Sequence, residues 1–322
     1  MAAKKRNTPR NITDMTHYNI MQSCNLKNLP DLDVCVLGAL ELFHKEKLPN
    51  VKISYKRPMV VGSGNAEATG RIMFHDKDAV FANESNVEEK LKNITHIDGV
   101  VLISASGAKH APIIAKLAKK KYKKKVTLIT NTPDAHAAEF SDTVYVFPDQ
   151  KEPYTYNTST YMGMILGNTG EDPKKIYDFI TQKVCCLPYP DFSAYDHYFL
   201  ILPNKYGTGL KRMFEVKFIE LFGRKLSRDI ETVDYMKHAV TVVPSNDLFI
   251  SFGEKNVYWG KKKNRLCIPL PKWASYGTMM AIGYYVIGQI QKQHPPWFKK
   301  NIKRYTTKIS KVFNHTISPI VE

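Results

Sequence analysis

The chain has 322 residues, of which 43% are hydrophobic, and 47 Lys and Arg against 30 Asp and Glu give it a net charge of +17. This hydrophobic content supports a packed core and excludes a disordered chain, and no apolar run reaches the roughly 20 residues that a membrane span needs. The excess of positive charge favours anionic partners, such as phosphorylated metabolites, nucleic acid or a membrane surface.

The cysteines and the N-terminal segment indicate the compartment. The five cysteines are odd in number and lack metal-ligand spacing, and residues 1–30 are polar and basic rather than a hydrophobic leader. We therefore expect reduced thiols, no metal site and a cytoplasmic protein. Basic runs at 116–125 and 261–265 are typical of solvated helix faces, and no nucleic-acid-binding motif accompanies them. We expect neither a nucleic acid nor a membrane as partner.

The first half alternates apolar strands with helical patterns. Helical spacing predicts a helix over 31–48, and a short strand then enters a glycine turn at "RPMVVGSGN". Next come the strand "GVVLISASG", a helix over 111–121, the strand "KVTLITN", a short helix at "DAHAAEF" and the strand "DTVYVFP". A further helix is predicted over 155–166. Strands and helices alternating at this spacing indicate βαβ units and a parallel sheet covered on both faces.

The second half repeats this pattern after a break at "CCLPYPDFSAYDH". The strand "HYFLILPN" leads through the glycine turn "KYGTG" into a helix over 210–222, and the strands "DLFISFGE" and "RLCIPLP" precede an apolar helix over 277–293. The predicted organisation has five parts: a basic polar segment (1–30), a first α/β unit (31–184), a linker (185–196), a second α/β unit (197–300) and a basic tail (301–322).

One strand-to-helix junction suggests an anion site. Ser104-Ala105-Ser106-Gly107 stands where the second strand of the first half meets its helix. A tight βα turn alone would account for these residue types. The start of a helix also offers unpaired N–H groups and the positive end of a dipole, serine hydroxyls add donors, and glycine lets the backbone come close to a ligand. This stretch is therefore a candidate phosphate site.

These motifs resemble the SIS (sugar isomerase) domain, found twice in tandem in phosphoglucose/phosphomannose isomerases and in the isomerase half of glucosamine-6-phosphate synthase. Gly62-Ser63-Gly64-Asn65-Ala66 resembles the family's Gly-x-Gly-x-Ser turn, the stretch 104–107 its Ser-x-Ser-Gly phosphate loop, and 155–160 its threonine-rich helix start. The resemblance covers about residues 59–300. It implies an α/β fold of two tandem SIS subdomains, each a parallel sheet flanked by helices in a flavodoxin-like three-layer sandwich.

The resemblance also implies a ligand site. It assigns the phosphate to Ser104, Ser106, Lys109 and Thr158, and the sugar to Gly62, Ser63, Gly64 and Asn65. Two positions depart from the family pattern, because Ala66 replaces a serine and Lys109 replaces a threonine that touches phosphate. A lysine at this point either binds the phosphate through a charge-assisted hydrogen bond or points into solvent.

The second half carries the possible chemistry. Aldose–ketose isomerisation needs a base to move a proton between C1 and C2, a group that opens the sugar ring, and a cation near the enediolate. In the family these are a Glu, a His and a C-terminal Lys. "YMKHAVTVV" resembles the family's histidine turn and implies that His238 opens the ring, although Ala239 replaces the usual residue. "HPPWFKKNIKR" resembles the lysine segment and implies Lys300, with Lys299 as its neighbour.

The base has two possible positions. A gapless alignment puts Phe222 at the base position and Glu215 at another helix position, whereas a two-residue insertion puts Glu220 there. Phenylalanine cannot abstract a proton, and Glu220 would also be an ordinary polar residue of an amphipathic helix.

The sequence thus predicts a phosphosugar isomerase that acts without a cofactor on a sugar phosphate, with a hexose 6-phosphate as the leading candidate, and that forms a homodimer. The alternative is a regulatory protein that binds a phosphosugar and lacks the catalytic base, which the substituted Ala66 favours. A third interpretation, nucleic-acid binding, rests on the net charge alone.

Overall fold

The computed structural model describes residues 11–239 and 245–321. The first half contains a parallel sheet of five strands in the order β2-β1-β3-β4-β5. The strands are β1 (Pro58–Val61), β2 (Val80–Ala82), β3 (Gly99–Ile103), β4 (Lys125–Thr130) and β5 (Thr143–Val146). β1 and β3 are buried along their whole length, because helices cover both faces of the sheet.

Seven α-helices are described in the first half. They are α1 (Thr16–Gln22), α2 (Leu32–Lys45), α3 (Asn65–Met73), α4 (Val87–Asn93), α5 (His110–Lys116), α6 (Thr158–Thr169) and α7 (Pro173–Phe179). α5 and α7 each continue into a π-helical turn, over 117–121 and 180–184. A two-residue strand, β6 (Glu152–Pro153), precedes α6 and lies outside the main sheet.

The second half has a parallel sheet of four strands in the order β10-β9-β7-β8. These are β7 (His197–Leu202), β8 (Ser227–Thr232), β9 (Leu248–Phe252) and β10 (Arg265–Ile268). Followed from β8, this order repeats that of β2-β1-β3-β4, so the two halves share one topology. The helices described here are α8 (Leu210–Phe222), α9 (Val233–Ala239), α10 (Tyr276–Gln293) and α11 (Trp297–Phe313).

The two halves pack into one hydrophobic core, in which α2, α3 and α6 of the first half meet α8 and α10 of the second. Gly288 allows α10 to approach α2, since a Cβ there would lie 2.3 Å from the backbone nitrogen of Asp33. The carboxylate of Glu171 accepts hydrogen bonds of 2.8–3.0 Å from the first backbone N–H groups of α10. It thereby caps a helix of the other half with a favourable charge.

The structure confirms the predicted fold class, two tandem α/β units with parallel sheets flanked by helices. The helix predicted over 155–166 begins only at Thr158, because Thr155 (φ 83°) and Asn157 (φ 45°) have left-handed backbone conformations. The segment after residue 300 continues α11, which buries Ile302 and Thr306, and ends in β11 (Ile320–Val321), antiparallel to β6. No helix among the described residues is long and apolar enough to span a membrane.

Candidate functional site

A cavity of about 410 Å³, called the first cavity below, lies at the carboxyl ends of β1 and β3. Five residues of the sequence-derived site line it: Gly62, Ser63, Ser104, Ser106 and Lys109. Open α/β sheets bind their ligands at this edge. The fold therefore brings the glycine turn and the serine loop, which are distant in the sequence, into one cavity.

The serine loop is held as a tight turn by its own side chains. The hydroxyl of Ser104 accepts a hydrogen bond from the backbone N–H of Gly107 at 3.2 Å, and that of Ser106 accepts one from Ala108 at 3.3 Å. Gly107 has φ 56°, and a Cβ there would lie 2.4 Å from that of Ala135. Both hydroxyls still have a proton to donate, so the loop can serve as a turn and as an anion site at once.

Lys109 lies at the rim of the first cavity. It is a non-glycine residue with φ 56°, and its Nζ stands 4.9 Å from the ring centroid of Phe313. A backbone conformation of this kind costs roughly 1–3 kcal/mol and is concentrated at functional sites. Phe313 is the last residue of α11 and lines the cavity, so the C-terminal helix forms part of the cavity wall.

A carboxylate and a histidine next to the glycine turn were not singled out from the sequence. The hydroxyl of Ser63 donates to the carboxylate of Glu84, and this hydrogen bond lowers the pKa of Glu84, with a smaller contribution from His110. His110 lines the first cavity beside Lys109. Glu84 adds negative charge near the cavity, and Lys109 is a cation of the lining that can offset it.

Three residues of the predicted phosphate and sugar site lie outside the cavity lining. Gly64 and Asn65 start α3, next to the lining residue Ser63. Thr158 is fully buried, and its hydroxyl donates to the carbonyl of Tyr156 at 3.4 Å, so it does not reach the cavity. Asn157, directly before it, lines the cavity in its place.

Aromatic residues also line the first cavity, and two of them, Tyr154 and Tyr161, stand on either side of Asn157 in the sequence. The sequence signal for them was the dense stretch "YTYNTSTY", in which two tyrosines flank the threonine-rich helix start. Burial raises the pKa of both phenols, and the negative charge of Glu220 raises it further. Glu220 itself does not line the first cavity.

Glu220 is the carboxylate of α8 that faces the interior. Its side chain is 20% exposed and its Oε2 lies 2.9 Å from Nζ of Lys217. Burial raises the pKa of Glu220, and the charge and hydrogen bond of Lys217 partly offset that rise. A carboxylate with a raised pKa is a better proton acceptor than an ordinary exposed one.

The other candidates for the base differ in environment. Phe222 is 3% exposed, and its ring contacts those of Phe218 and His294 with centroid distances of 5.4 and 6.1 Å. Glu215 pairs with Arg212 at 3.6 Å near the surface. None of the three candidates lines the first cavity, and Glu220 is the carboxylate among them that pairs with a buried lysine.

Lys217 is a fully buried lysine that was not singled out from the sequence. Its Nζ donates to the carbonyl oxygens of Thr155 and Tyr156, the second at 2.6 Å, and to Glu220. Thr155 is β-branched with φ 83°, which is a genuine backbone outlier. Lys217 therefore stabilises the strained turn that places Asn157 in the cavity wall, and at the same time fixes Glu220.

His238 and Lys300 do not line the first cavity. His238 is exposed near the end of α9, and residues 240–244 of its motif lie outside the described residues. Lys300 is exposed in the first turn of α11, about 20 Å along the helix axis from Phe313. Its neighbour Lys299 pairs with Asp31 at 2.6 Å. Their catalytic roles stay predictions from the resemblance.

No group of three or more His, Cys, Asp or Glu residues in the described parts of the chain is arranged to hold a metal ion.

A buried carboxylate, Glu152, is bound by two side chains: Sγ of Cys35 donates to it at 2.8 Å, and Oγ of Ser159 at 3.2 Å. Burial raises the pKa of Glu152 to about 7.

Glu152→Gln is expected to abolish the loss of stability that the wild type undergoes as the pH rises. The unfolded chain releases this proton near the ordinary carboxyl pKa, whereas the folded chain holds it up to about pH 7. The wild type therefore loses stability as the pH rises between these values, by roughly 2–3 kcal/mol. Urea unfolding at pH 5 and pH 8 measures this, and the Glu152→Gln variant should gain that amount relative to wild type at pH 8. The same difference in the free energy of unfolding between variant and wild type at pH 5 and at pH 8 would contradict this expectation.

The sequence matches no protein-family model and no curated protein. Solved structures do match its fold. Tagatose-6-phosphate ketose/aldose isomerase from Escherichia coli has a TM-score of 0.54 and 13% identity, over 89% of this chain and 95% of that one. Glucosamine-6-phosphate deaminase from Thermotoga maritima has a TM-score of 0.53 and 14% identity, over 87% and 93%.

The C-terminal domain of glucosamine-fructose-6-phosphate aminotransferase from Francisella tularensis matches with a TM-score of 0.50 and 13% identity, over 92% of this chain and 98% of that domain. These similarities extend over nearly the full length of each protein, so they concern both halves and not one α/β unit. The chain has the tandem SIS fold that the motifs implied.

Proposed function

We propose that this protein binds a sugar phosphate in the first cavity and catalyses its aldose–ketose isomerisation. The observation that carries the proposal is the meeting of the glycine turn and the serine loop in one cavity. Tyr154 and Tyr161 line the same cavity, and the charge of Glu220 raises the pKa of both phenols. Fold neighbours named for tagatose 6-phosphate and glucosamine 6-phosphate support the substrate class.

In this proposal the phosphate binds the hydroxyls of Ser104 and Ser106, the cation Lys109 and the imidazole of His110, since these groups belong to one segment, 104–110, that lines the cavity. The sugar then extends past Gly62 and Ser63 toward Tyr154 and Tyr161. A hexose 6-phosphate carries its negative charge on the phosphate, which suits the serine loop and Lys109. Its hydroxyl groups suit the part of the cavity lined by Tyr154 and Tyr161. Charge-assisted hydrogen bonds to the phosphate would supply most of the orientation.

Glu220 is the proposed base that moves the proton between C1 and C2. Its raised pKa matches this task, and Lys217 holds it in place. His238 as the ring-opening residue and Lys300 as the enediolate cation are carried over from the resemblance. The proposal includes a cytoplasmic homodimer that needs no cofactor, because side chains and water carry the proton.

A coupled assay tests the reaction on fructose 6-phosphate, glucose 6-phosphate and mannose 6-phosphate, followed by pentose and sedoheptulose phosphates. We expect turnover on at least one of them. The isomerase proposal fails if none is converted faster than in buffer.

A second candidate is a regulatory protein that binds the phosphosugar without converting it. The exposure of His238 and Lys300 outside the first cavity favours it. Tight binding of a sugar phosphate without turnover would establish this alternative, whereas absence of binding would remove both.

Ser106→Ala is expected to weaken sugar-phosphate binding by about 10- to 150-fold. The change removes one hydrogen bond to a charged group, which contributes about 1.5–3 kcal/mol. The stability should change by at most about 1 kcal/mol, since the hydroxyl's turn contact to Ala108 is long at 3.3 Å. Calorimetric titration with fructose 6-phosphate measures the affinity, and a thermal melt the stability.

Ser141→Ala is a matched control for this prediction. The Ser141 hydroxyl donates to the carbonyl of Ala137 at 2.8 Å in the same half of the chain, and Ser141 does not line the first cavity. Its removal should leave the affinity unchanged. Equal affinities of wild type and Ser106→Ala would mean that the serines of the loop only form the turn.

A further inference from the structure

A second cavity, of about 450 Å³, lies between α9, the carboxyl end of β9 and the loop 253–264, called the aromatic loop below. Because β8-β7-β9-β10 repeats the order of β2-β1-β3-β4, β9 is the counterpart of β3, and this cavity occupies the position that corresponds to the first one. The proposed isomerase function makes no use of it.

The cavity exists because one helix of the first half has no counterpart here. β3 is followed by α5, whereas β9 and β10 are joined by the aromatic loop, which has a single 3-10 turn at Lys262–Asn264. On this face of the sheet the buried cluster is small, with Ile201, Met236 and Phe249 as its core. Among the described residues, no helix takes the place of α5 on this face of the sheet beside α9.

The aromatic loop is fixed in place and not merely extended. The guanidinium of Arg265 donates to the carbonyl oxygens of Val257, Tyr258, Trp259 and Gly260 over 2.6–3.1 Å. The side chain of Asn256 accepts from the backbone N–H groups of Tyr258 and Trp259 at 3.1 and 2.9 Å. A loop held by this many polar contacts presents its aromatic side chains in one arrangement, which lowers the entropic cost of binding.

The walls of the cavity combine aromatic rings with cations. Tyr258 is 80% exposed and Trp259 lies beside it, with ring centroids 5.9 Å apart. Lys237 and Lys255 line the same space, together with one carboxylate, Glu254. Lys237 has a surface ion pair with Asp234 at 2.9 Å, which contributes little and can be exchanged for a ligand.

We propose that the second cavity binds a nucleoside monophosphate. Its base stacks on Trp259 and meets Tyr258 edge to face, since the two rings are inclined by 64° to each other. Lys237 and Lys255 bind its phosphate. The stacking of a planar ring on an exposed aromatic side chain needs no sequence-specific partner, and the lysines supply the complementary charge. A cavity of about 450 Å³ is within the usual range for small-molecule sites.

The positive charge on this face makes a second copy of the chain an unfavourable occupant. The exposed run Lys261–Lys263 adds to Lys237 and Lys255, so a twofold contact would bring like charges together. The same run would instead strengthen the field that attracts a phosphate.

Calorimetric titration with adenosine 5′-monophosphate tests the proposal, with adenosine and inorganic phosphate as the two halves of the ligand. We expect saturable binding of the nucleotide that is at least about 10-fold tighter than that of either half. Trp259→Leu should weaken it by about 10-fold or more, while Trp273→Leu, a half-exposed tryptophan packed on Phe179 outside the cavity, should not. A Lys237→Met/Lys255→Met variant should lose the preference for the nucleotide over adenosine.

Ser106→Ala separates the two cavities, because it should leave nucleotide binding unchanged. The proposal is overturned if the nucleotide does not bind at millimolar concentration, if Trp259→Leu has no effect, or if Ser106→Ala abolishes binding. A single-stranded oligoadenylate is measured beside the mononucleotide. Binding of the oligonucleotide alone would overturn the proposal in favour of a nucleic-acid surface.

Discussion

Glu220→Gln is expected to lower kcat for the isomerisation by about 10²- to 10⁴-fold, which is the usual contribution of a positioned general base. The amide cannot accept the proton, but its oxygen can still accept the hydrogen bond from Lys217 that the carboxylate accepts at 2.9 Å. Fructose 6-phosphate should therefore bind the variant within about 3-fold of wild type, because the phosphate contacts supply most of the affinity. Steady-state kinetics and calorimetric titration measure the two quantities.

The pH profile of wild type gives an independent check on this residue. The base must be ionised, and burial raises the pKa of Glu220 above the ordinary carboxyl value. The rate should therefore fall on the acidic side at a pH higher than an exposed carboxylate would give. In Glu220→Gln this acidic limb should disappear from the residual rate.

Glu215→Gln is the matched control, since Glu215 lies on the same helix and pairs with Arg212 near the surface. Its kcat should stay within about 3-fold of wild type, as a surface pair contributes little. Full activity of Glu220→Gln would show that another group is the base, and loss of activity in both variants would point to damage to α8.

The sequence predicted most of the fold because its strong signals are local. β3 is the apolar run Gly99–Ile103, and α8 was predicted over the residues 210–222 that it occupies. Buried parallel strands and apolar helices carry such patterns themselves. The short, polar elements carry none: β8 (Ser227–Thr232) has a single apolar residue, Ile230, and α4 (Val87–Asn93) is mostly charged.

The site was predicted only as far as its motifs extend. The serine loop and glycine turn were visible because their residue types are required locally. The aromatic part of the lining depends on long-range packing, which brings Phe313 from α11 to Lys109 and places Tyr154 and Tyr161 in the same cavity. No local pattern specifies such contacts. Lys217 is the extreme case, because lysine is among the residue types least often fully buried, whereas in the fold its side chain is fully buried.

Lys217→Met is expected to have the largest effect on stability, a loss of roughly 3–5 kcal/mol in the free energy of unfolding. The methionine fills much of the space but leaves three acceptors without their cation, namely the carbonyls of Thr155 and Tyr156 and the carboxylate of Glu220. Removal of one partner from a buried pair costs more than the pair contributes, because the remaining charge stays desolvated.

Urea unfolding of four proteins measures this: wild type, Lys217→Met, Glu220→Gln and the double variant. The double variant should be more stable than the sum of the two single changes implies, by about 0.5–3 kcal/mol. Lys211→Met is the surface control, since Lys211 lies on the same helix, pairs with Glu231 and is 36% exposed. It should cost at most about 1 kcal/mol.

The activity of Lys217→Met separates a role at the site from a role in the fold. The charge of Lys217 lowers the pKa of Glu220, so its removal should raise that pKa and move the acidic limb of the pH profile to higher pH. Loss of the two hydrogen bonds should also relax the turn at Thr155, whose φ is 83°, and displace Asn157 from the cavity wall, which weakens sugar-phosphate binding. A variant that is destabilised but keeps the wild-type pH profile and affinity would show that Lys217 serves the core alone, because a group that positions the base cannot be removed without moving the pH at which the base ionises.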